Sequence, residues 1–197
     1  MERAIRHRDP EPPGVLMRFH ELSVVGAWRI DTDVLADERG AFCRVWCAAE
    51  FGGHGLPETI SQASLSGNRR RGTLRGMHHR PAADGEYKLV RCIRGAVHDV
   101  ILDLRPESPS YLRWDAVRLS ADHHTAVCIP PGCAHGFLTL ADDSDLLYMM
   151  SVAYRPNAES GVRWDDPAFA IEWPDHPTVI ASRDASYPDY VVPGSQS

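Results

Sequence analysis

Apolar positions along this chain fall in short runs that alternate with polar ones, and turn-forming clusters such as SPS, SADHH, PPG and ADDSD break the runs at close intervals. Period-two alternation bounded by Gly, Pro, Asp and Ser is the pattern of strands joined by turns. Residues 18–34 predict one or two strands, and Asp37 to Phe42 reads as a turn feeding another. Further strands are predicted over Ile60 to Ser66, Leu112 to Leu119, Thr125 to Ile129, His135 to Leu140 and Leu146 to Val152. The run VRCIRGAVHDVILDLR reads as a hairpin turning at Arg94-Gly95, where glycine accepts a positive φ. Helix is suggested only over Val45 to Gly55, closed by glycine, and Ser182 to Ala185, with Ser182 as its cap. The whole predicts an all-β sandwich or barrel with one or two short helices.

Chemistry concentrates between Thr73 and Gly95, in TLRGMHHRPAADGEYKLVRCIRG. Apolar residues suited to a half-buried strand flank a turn rich in Pro, Asp and Gly. His78 is expected near the end of one strand and Lys88 near the start of the next. Successive strand side chains point to opposite faces, so His78 and His79 cannot both enter one site.

At 197 residues, with no linker in sight, a single domain over residues 1–197 is expected, with a polar arm over 1–17 and a flexible tail over 190–197. The formal net charge of -6 argues against a nucleic-acid binder. The cluster Arg69, Arg70, Arg71 and Arg75 reads either as a solvated loop or as part of a site for a small anion. No apolar run has the length of a membrane span and the N-terminus lacks a signal-peptide core, so a cytoplasmic protein is expected. The five cysteines form no CxxC pair and are odd in number, so they read as reduced packing residues.

The segment IPPGCAHGF, Ile129 to Phe137, has the P-x-G-x-x-H form of the second half of the cupin signature. A metal-binding cupin adds an earlier HxH pair. The adjacent His78 and His79 do not supply a two-histidine face, and a metal needs three or four converging ligands, so no metal is expected.

Taken in order, DERGAF, TLRGMH, KLVRCIRGAVHDVILDLR with ESPSYLRW, IPPGCAHGF, LLY, RWDDPAFAIEWP and SRD resemble the dTDP-4-dehydrorhamnose 3,5-epimerases, metal-free cupin sugar-nucleotide epimerases. The resemblance runs from about Asp31 to Asp184. It implies a jelly-roll cupin that uses no cofactor and takes a dTDP-linked 4-keto-6-deoxy sugar. It also implies a homodimer whose N-terminal strands extend the partner's sheet. The C4 ketone acidifies the hydrogens on C3 and C5, so inversion needs a base, a group to hold the enolate oxygen, and an acid on the other face.

By the same resemblance His78 is the base and Asp184 the aspartate that orients it. Lys88 is the cation at the C4 oxygen and Tyr148 the proton donor. His135 lines the cavity, Arg39 and Arg75 hold the diphosphate, and Gln62 lies near the nucleotide. Phe42 and Tyr154 supply apolar and stacking surface.

Departures from the family pattern are His79 and Arg80 after the base, Arg44 where Glu is usual, and Met149 after LLY. They leave open which sugar is used and whether C3, C5 or both invert. A keto-sugar isomerase, a metal-dependent cupin oxygenase and a non-catalytic sugar-nucleotide binding module are the competing readings. The retention of His78, Lys88, Tyr148 and Asp184 together speaks against binding alone.

Overall fold

The computed structural model describes residues 16–156 and 158–192. Its strands are β1 (Met17–Glu21), β2 (Trp28–Thr32), β3 (Val34–Asp37), β4 (Gly40–Cys43), β5 (Gln62–Asn68), β6 (Thr73–His79) and β7 (Lys88–Arg94). They continue with β8 (Ala96–Asp103), β9 (Trp114–Ser120), β10 (Ala126–Ile129), β11 (Cys133–Thr139), β12 (Ser144–Met150), β13 (Ser160–Gly161) and β14 (Val179–Ile180). One sheet has the order β1-β2-β10-β7-β12-β5. The other runs β13-β6-β11-β8-β9, with β14 added in parallel to β6, and β3 and β4 form a separate hairpin. This is an all-β jelly-roll sandwich.

The alternation in the sequence decides which side of each sheet a residue joins. Val90 and Cys92 from β7, Val127 and Ile129 from β10, and Leu146 from β12 meet Val97, Ile101, Leu119 and Phe137 from the other sheet in the central core. Their sequence neighbours Leu89, Ala126 and Cys128 point the other way, where Met17, Ile30, Phe51 and Leu56 cover them. Val100 and Leu102, which alternate with Ile101, lie under Val162 and Phe169 from the C-terminal segment. Each sheet is therefore apolar on both faces along its middle strands.

The two helices are α1 (Ala48–Gly53), which inserts Phe51, and α2 (Ser182–Ala185), which buries Asp184. Ser182 is the first helical residue of α2 and not its cap: the residue before it is Ala181, and no side chain caps the helix. The expected hairpin at Arg94-Gly95 is also corrected. β7 pairs with β10 and β12, whereas β8 pairs with β9 and β11, so the chain crosses from one sheet to the other there. Gly95 has φ 72° and a Cβ on it would lie 3.0 Å from Ser144 Cα. The glycine signal was real, but it marks a sheet crossing.

Most of the arm and tail expected at the ends, residues 1–15 and 193–197, lies outside the described residues. At their inner edges, Met17 is buried in β1 with its N–H on Glu50, and Tyr190 donates its N–H to Asp166. All five cysteines are free, and Cys92, Cys128 and Cys133 are buried. Among the described residues no helix is long and apolar enough to cross a membrane.

Candidate active site

A cavity of about 340 Å³ opens between the sheets, lined from β5, β6, β7, β11 and β12 and from the segment after β12. His78, Lys88, Tyr148, Gln62, Arg75, His135 and Tyr154 all line it, so these expected residues converge although they are scattered over the sequence.

Arg75 and His78 share this wall because β6 is irregular. Strict alternation would place residues three apart on opposite faces. Opposite them, however, His135 pairs with His78 and Phe137 with Arg75, so three steps along β6 face two along β11. The extra residue is a bulge, which re-aims a side chain. It occurs where the backbones of Gly76 and Gly136 nearly touch: a Cβ on Gly76, whose φ is 119°, would lie 2.6 Å from Gly136 Cα. His79 falls outside the cavity lining, as alternation requires, and burial foremost pushes its pKa down.

Asp184, brought by α2 against β6, stands with Oδ1 2.9 Å from His78 Nε2, and its Oδ2 accepts the Gly76 N–H at 3.1 Å. Burial alone would raise its pKa, but the hydrogen bonds from His78 and Gly76 outweigh that and hold it below the ordinary value. Arg183 Nη2 also lies 2.9 Å from His78 Nε2. One ring nitrogen cannot donate and accept at once. When Nε2 carries a proton it donates to Asp184, leaving Nδ1 as the free base; when it does not, it accepts from Arg183.

A second histidine–carboxylate pair lies deeper. His135 Nε2 is 2.8 Å from Oδ2 of the fully buried Asp99 on β8. The His135 ring packs edge-on to Tyr148, centroids 5.8 Å apart. Burial, then the charge of Asp99, pushes the Tyr148 hydroxyl well above the ordinary tyrosine range. A phenol in that state is protonated across the neutral range and has a proton to give.

Lys88 Nζ stands between two carboxylates, 3.4 Å from Glu86 Oε2 and 3.7 Å from Glu159 Oε1. Arg75 is held by Nε, which donates to Asn68 Oδ1 at 2.7 Å, and Asn68 in turn donates to the Ser144 carbonyl. Gln62 donates to the Val152 carbonyl, and Tyr154 stands at the mouth, largely exposed. Among the described residues no three His, Cys, Asp or Glu side chains group as a metal site requires.

Two expected residues are not brought here within the chain. Arg39 and Phe42 sit on the β3–β4 hairpin, Arg39 paired with Asp37 and its side chain 85% exposed, Phe42 68% exposed. They border a separate surface cleft with Leu35 and Asp37. Of the departures, Arg44 pairs with Glu50, Met149 packs in the apolar layer beneath α1, and Arg80 enters the cavity wall.

Sequence reasoning missed Asp99, Asn68, Glu86, Glu159, Arg183 and the serines Ser64 and Ser66, which line the cavity beside Gln62. Gln62, Ser64 and Ser66 alternate on β5, and that period was available as a signal once one of them was assigned. Asp99 on β8 and Glu86 in the loop before β7 gave none, because charged residues in strands and loops ordinarily read as solvent-facing.

Comparison with known proteins gives the same picture. The family model for dTDP-4-dehydrorhamnose 3,5-epimerase matches residues 21–191. The chain is 41% identical over 176 residues to the dTDP-4-dehydrorhamnose 3,5-epimerase of Mycolicibacterium smegmatis, covering 87% of this chain and 85% of that one. It is 38% identical to the dTDP-4-dehydrorhamnose 3-epimerase of Streptomyces niveus, covering 85% and 81%. The crystal structure of a 4-keto-6-deoxy sugar epimerase from the novobiocin gene cluster of Streptomyces spheroides superposes with a TM-score of 0.84 at 37% identity, covering 90% of this chain and 89% of that one. On the breadth of that match, this chain belongs to the dTDP-4-dehydrorhamnose 3,5-epimerase family.

Proposed function

We propose that this protein epimerises a dTDP-4-keto-6-deoxyhexose at C3, C5 or both, without a cofactor. The observation that carries the reading is the convergence of the His78–Asp184 pair, Lys88 and Tyr148 on one cavity. His78 takes the proton from the carbon beside the ketone, and Asp184 stabilises the imidazolium that forms. Lys88 offsets the negative charge that collects on the C4 oxygen. Tyr148 gives its proton to the opposite face of the carbon, so the centre inverts. His78 then loses a proton to solvent and Tyr148 regains one.

Arg75 holds the diphosphate through the guanidinium donors that its Nε bond to Asn68 leaves available, and that bond supports the reading. Arg39 and Phe42 are assigned to the same ligand through a homodimer: the exposed hairpin of one protomer would enter the cavity of the other. Its solvent-facing Leu35 and Phe42 are apolar surface that a partner would cover. A cytoplasmic location fits a nucleotide-sugar substrate.

The test is proton NMR of dTDP-4-keto-6-deoxyglucose incubated with the protein in deuterated water, beside a His78→Asn control. Deuterium at C3, C5 or both, absent in the control, is the expected result and names the centres inverted. Wild-type protein that binds the nucleotide but exchanges neither hydrogen refutes the assignment for this sugar.

A further inference from the structure

Along one wall of the cavity the charges alternate in contact. Arg80 Nε donates to Asp84 Oδ2 at 2.9 Å, and Arg80 Nη1 donates to Glu86 Oε1 at 2.9 Å. The other oxygen of Glu86 faces Lys88 Nζ at 3.4 Å. The side chains of Arg80, Glu86 and Lys88 are 6%, 7% and 14% exposed. Placing three charged groups in succession beside a cavity is costly, because each loses its water, and apolar side chains of the same size avoid that cost. Their presence calls for a function. Burial alone would weaken the hold of Arg80 on its proton, but the bonds it donates to Glu86 and Asp84 outweigh this and raise its pKa above the ordinary value.

A lysine ammonium ends a stem of four carbons and turns freely, so holding it at one point takes a fixed anion. Glu86 is such an anion only because Arg80 grips its second oxygen. The grip also divides the carboxylate's charge: one oxygen serves Arg80, and the second carboxylate near Lys88, Glu159 at 3.7 Å, is more exposed than Glu86, so Glu86 is the buried anchor of the ammonium. We infer that Arg80 and Glu86 are a positioning pair that aims the Lys88 ammonium at the carbonyl oxygen of the bound keto sugar. The inference rests on the epimerase reading above and assigns a use to Arg80, one of the residues by which this chain departs from the family pattern.

The experiment measures two quantities in full-length protein: the rate of deuterium incorporation into dTDP-4-keto-6-deoxyglucose, and the affinity for dTDP, which carries no ketone. In Glu86→Gln the rate is expected to fall about tenfold or more, the size typical of losing a group that orients a charged ligand, with dTDP affinity within about twofold of wild type. Arg80→Gln frees both oxygens of Glu86 for Lys88 and is expected to lower the rate similarly. The double variant removes both charges together, so its rate is expected to exceed the product of the two single effects, the mark of coupled residues. Arg80→Lys keeps the charge and loses the two-pronged grip; it supplies the comparison if a neutral variant does not fold, with a severalfold fall expected.

Wild-type exchange with single variants that exchange equally well overturns the positioning pair and leaves the epimerase reading standing. Parallel loss of exchange and dTDP binding also overturns it, because the pair is then merely structural. A wild-type protein that exchanges neither hydrogen removes the epimerase reading and this inference with it.

Discussion

Nε2 of His78 lies 2.9 Å from Oδ1 of Asp184, although 106 positions separate the two residues in the chain. The contact ties the C-terminal helix α2 to the middle of the sandwich, and the Gly76 N–H on the other carboxylate oxygen fixes the aspartate's orientation. In Asp184→Asn the amide cannot stabilise an imidazolium as a carboxylate does. We expect solvent exchange to fall by about 10²–10³-fold, within the usual range for general acid–base catalysis, with dTDP affinity nearly unchanged. Calorimetric titration beside the NMR assay checks both halves.

Tyr148→Phe separates two events that wild-type protein performs together. The base still removes a proton and can return a deuteron to the face it came from, so exchange continues with retention. Inversion is expected to fall by about 10²–10⁴-fold. Proton NMR couplings of the product distinguish retained from inverted centres. Because the Tyr148 hydroxyl is held well above its ordinary pKa, wild-type inversion should show no loss from tyrosine ionisation up to pH 10.

Asn68 serves Arg75 from behind. Removing it in Asn68→Ala leaves the Arg75 guanidinium free to swing, and one charge-assisted hydrogen bond is worth about 1.5–3 kcal/mol. We expect dTDP affinity to weaken at least about tenfold while the rate at saturating substrate changes little. An equal fall in both would contradict the assignment of Arg75 to the diphosphate.

If each cavity is completed by the other protomer's hairpin, defects on the hairpin and at the base can complement. His78→Asn and the double variant Arg39→Ala, Phe42→Ala are each expected to be nearly inactive alone. After mixing under conditions that exchange subunits, activity should return, since mixed dimers contain one cavity free of both defects. No return of activity from demonstrated mixed dimers rejects the shared site.

Away from the cavity, Asp103 is the clearest acid-sensitive element of stability. Its carboxylate is fully buried; burial alone would raise its pKa, but bonds from Arg105, Ser108 and Ser110 outweigh this and lower it from 3.8 to about 2. A lowered folded-state pKa means stability that is present above the unfolded value of 3.8 and lost as pH falls through about 2. Asp103→Asn should therefore be less stable at neutral pH, by about 2 kcal/mol at one pKa unit per 1.4 kcal/mol, and the difference should shrink below about pH 4. Urea unfolding across that pH range measures it.

Much of the sandwich was legible because its strands alternate and their turns carry glycine, proline and aspartate. What misled was topology. A glycine between two strands looks alike whether the strands pair or part, and only the partners of Val90 and Val97 on other strands distinguish the two cases. The cavity residues named by resemblance on β6, β7, β11 and β12 converge in space, because those strands form the walls. Those on the β3–β4 hairpin do not, because the hairpin is a separate two-stranded sheet with Arg39 and Phe42 turned to solvent. Asp99 and Glu86 stayed hidden for a different reason: nothing local separates a carboxylate facing water from one facing a buried histidine or arginine. The bulge in β6 was equally invisible, since an extra residue leaves no mark on apolar periodicity over so short a strand.

The close approach of Gly76 and Gly136 limits how this protein can be altered. A side chain at Gly76 collides with the β11 backbone, and one at Gly136 lies 3.0 Å from the Arg75 carbonyl and 2.6 Å from the Met77 sulfur. Neither substitution makes room for the other, so the seam offers no stepwise route to a different residue pair. Variants selected for a new sugar will therefore accumulate on the β5 wall, where Gln62, Ser64 and Ser66 can change size independently. In recombination between relatives, β6 and β11 should be inherited from one parent as a unit.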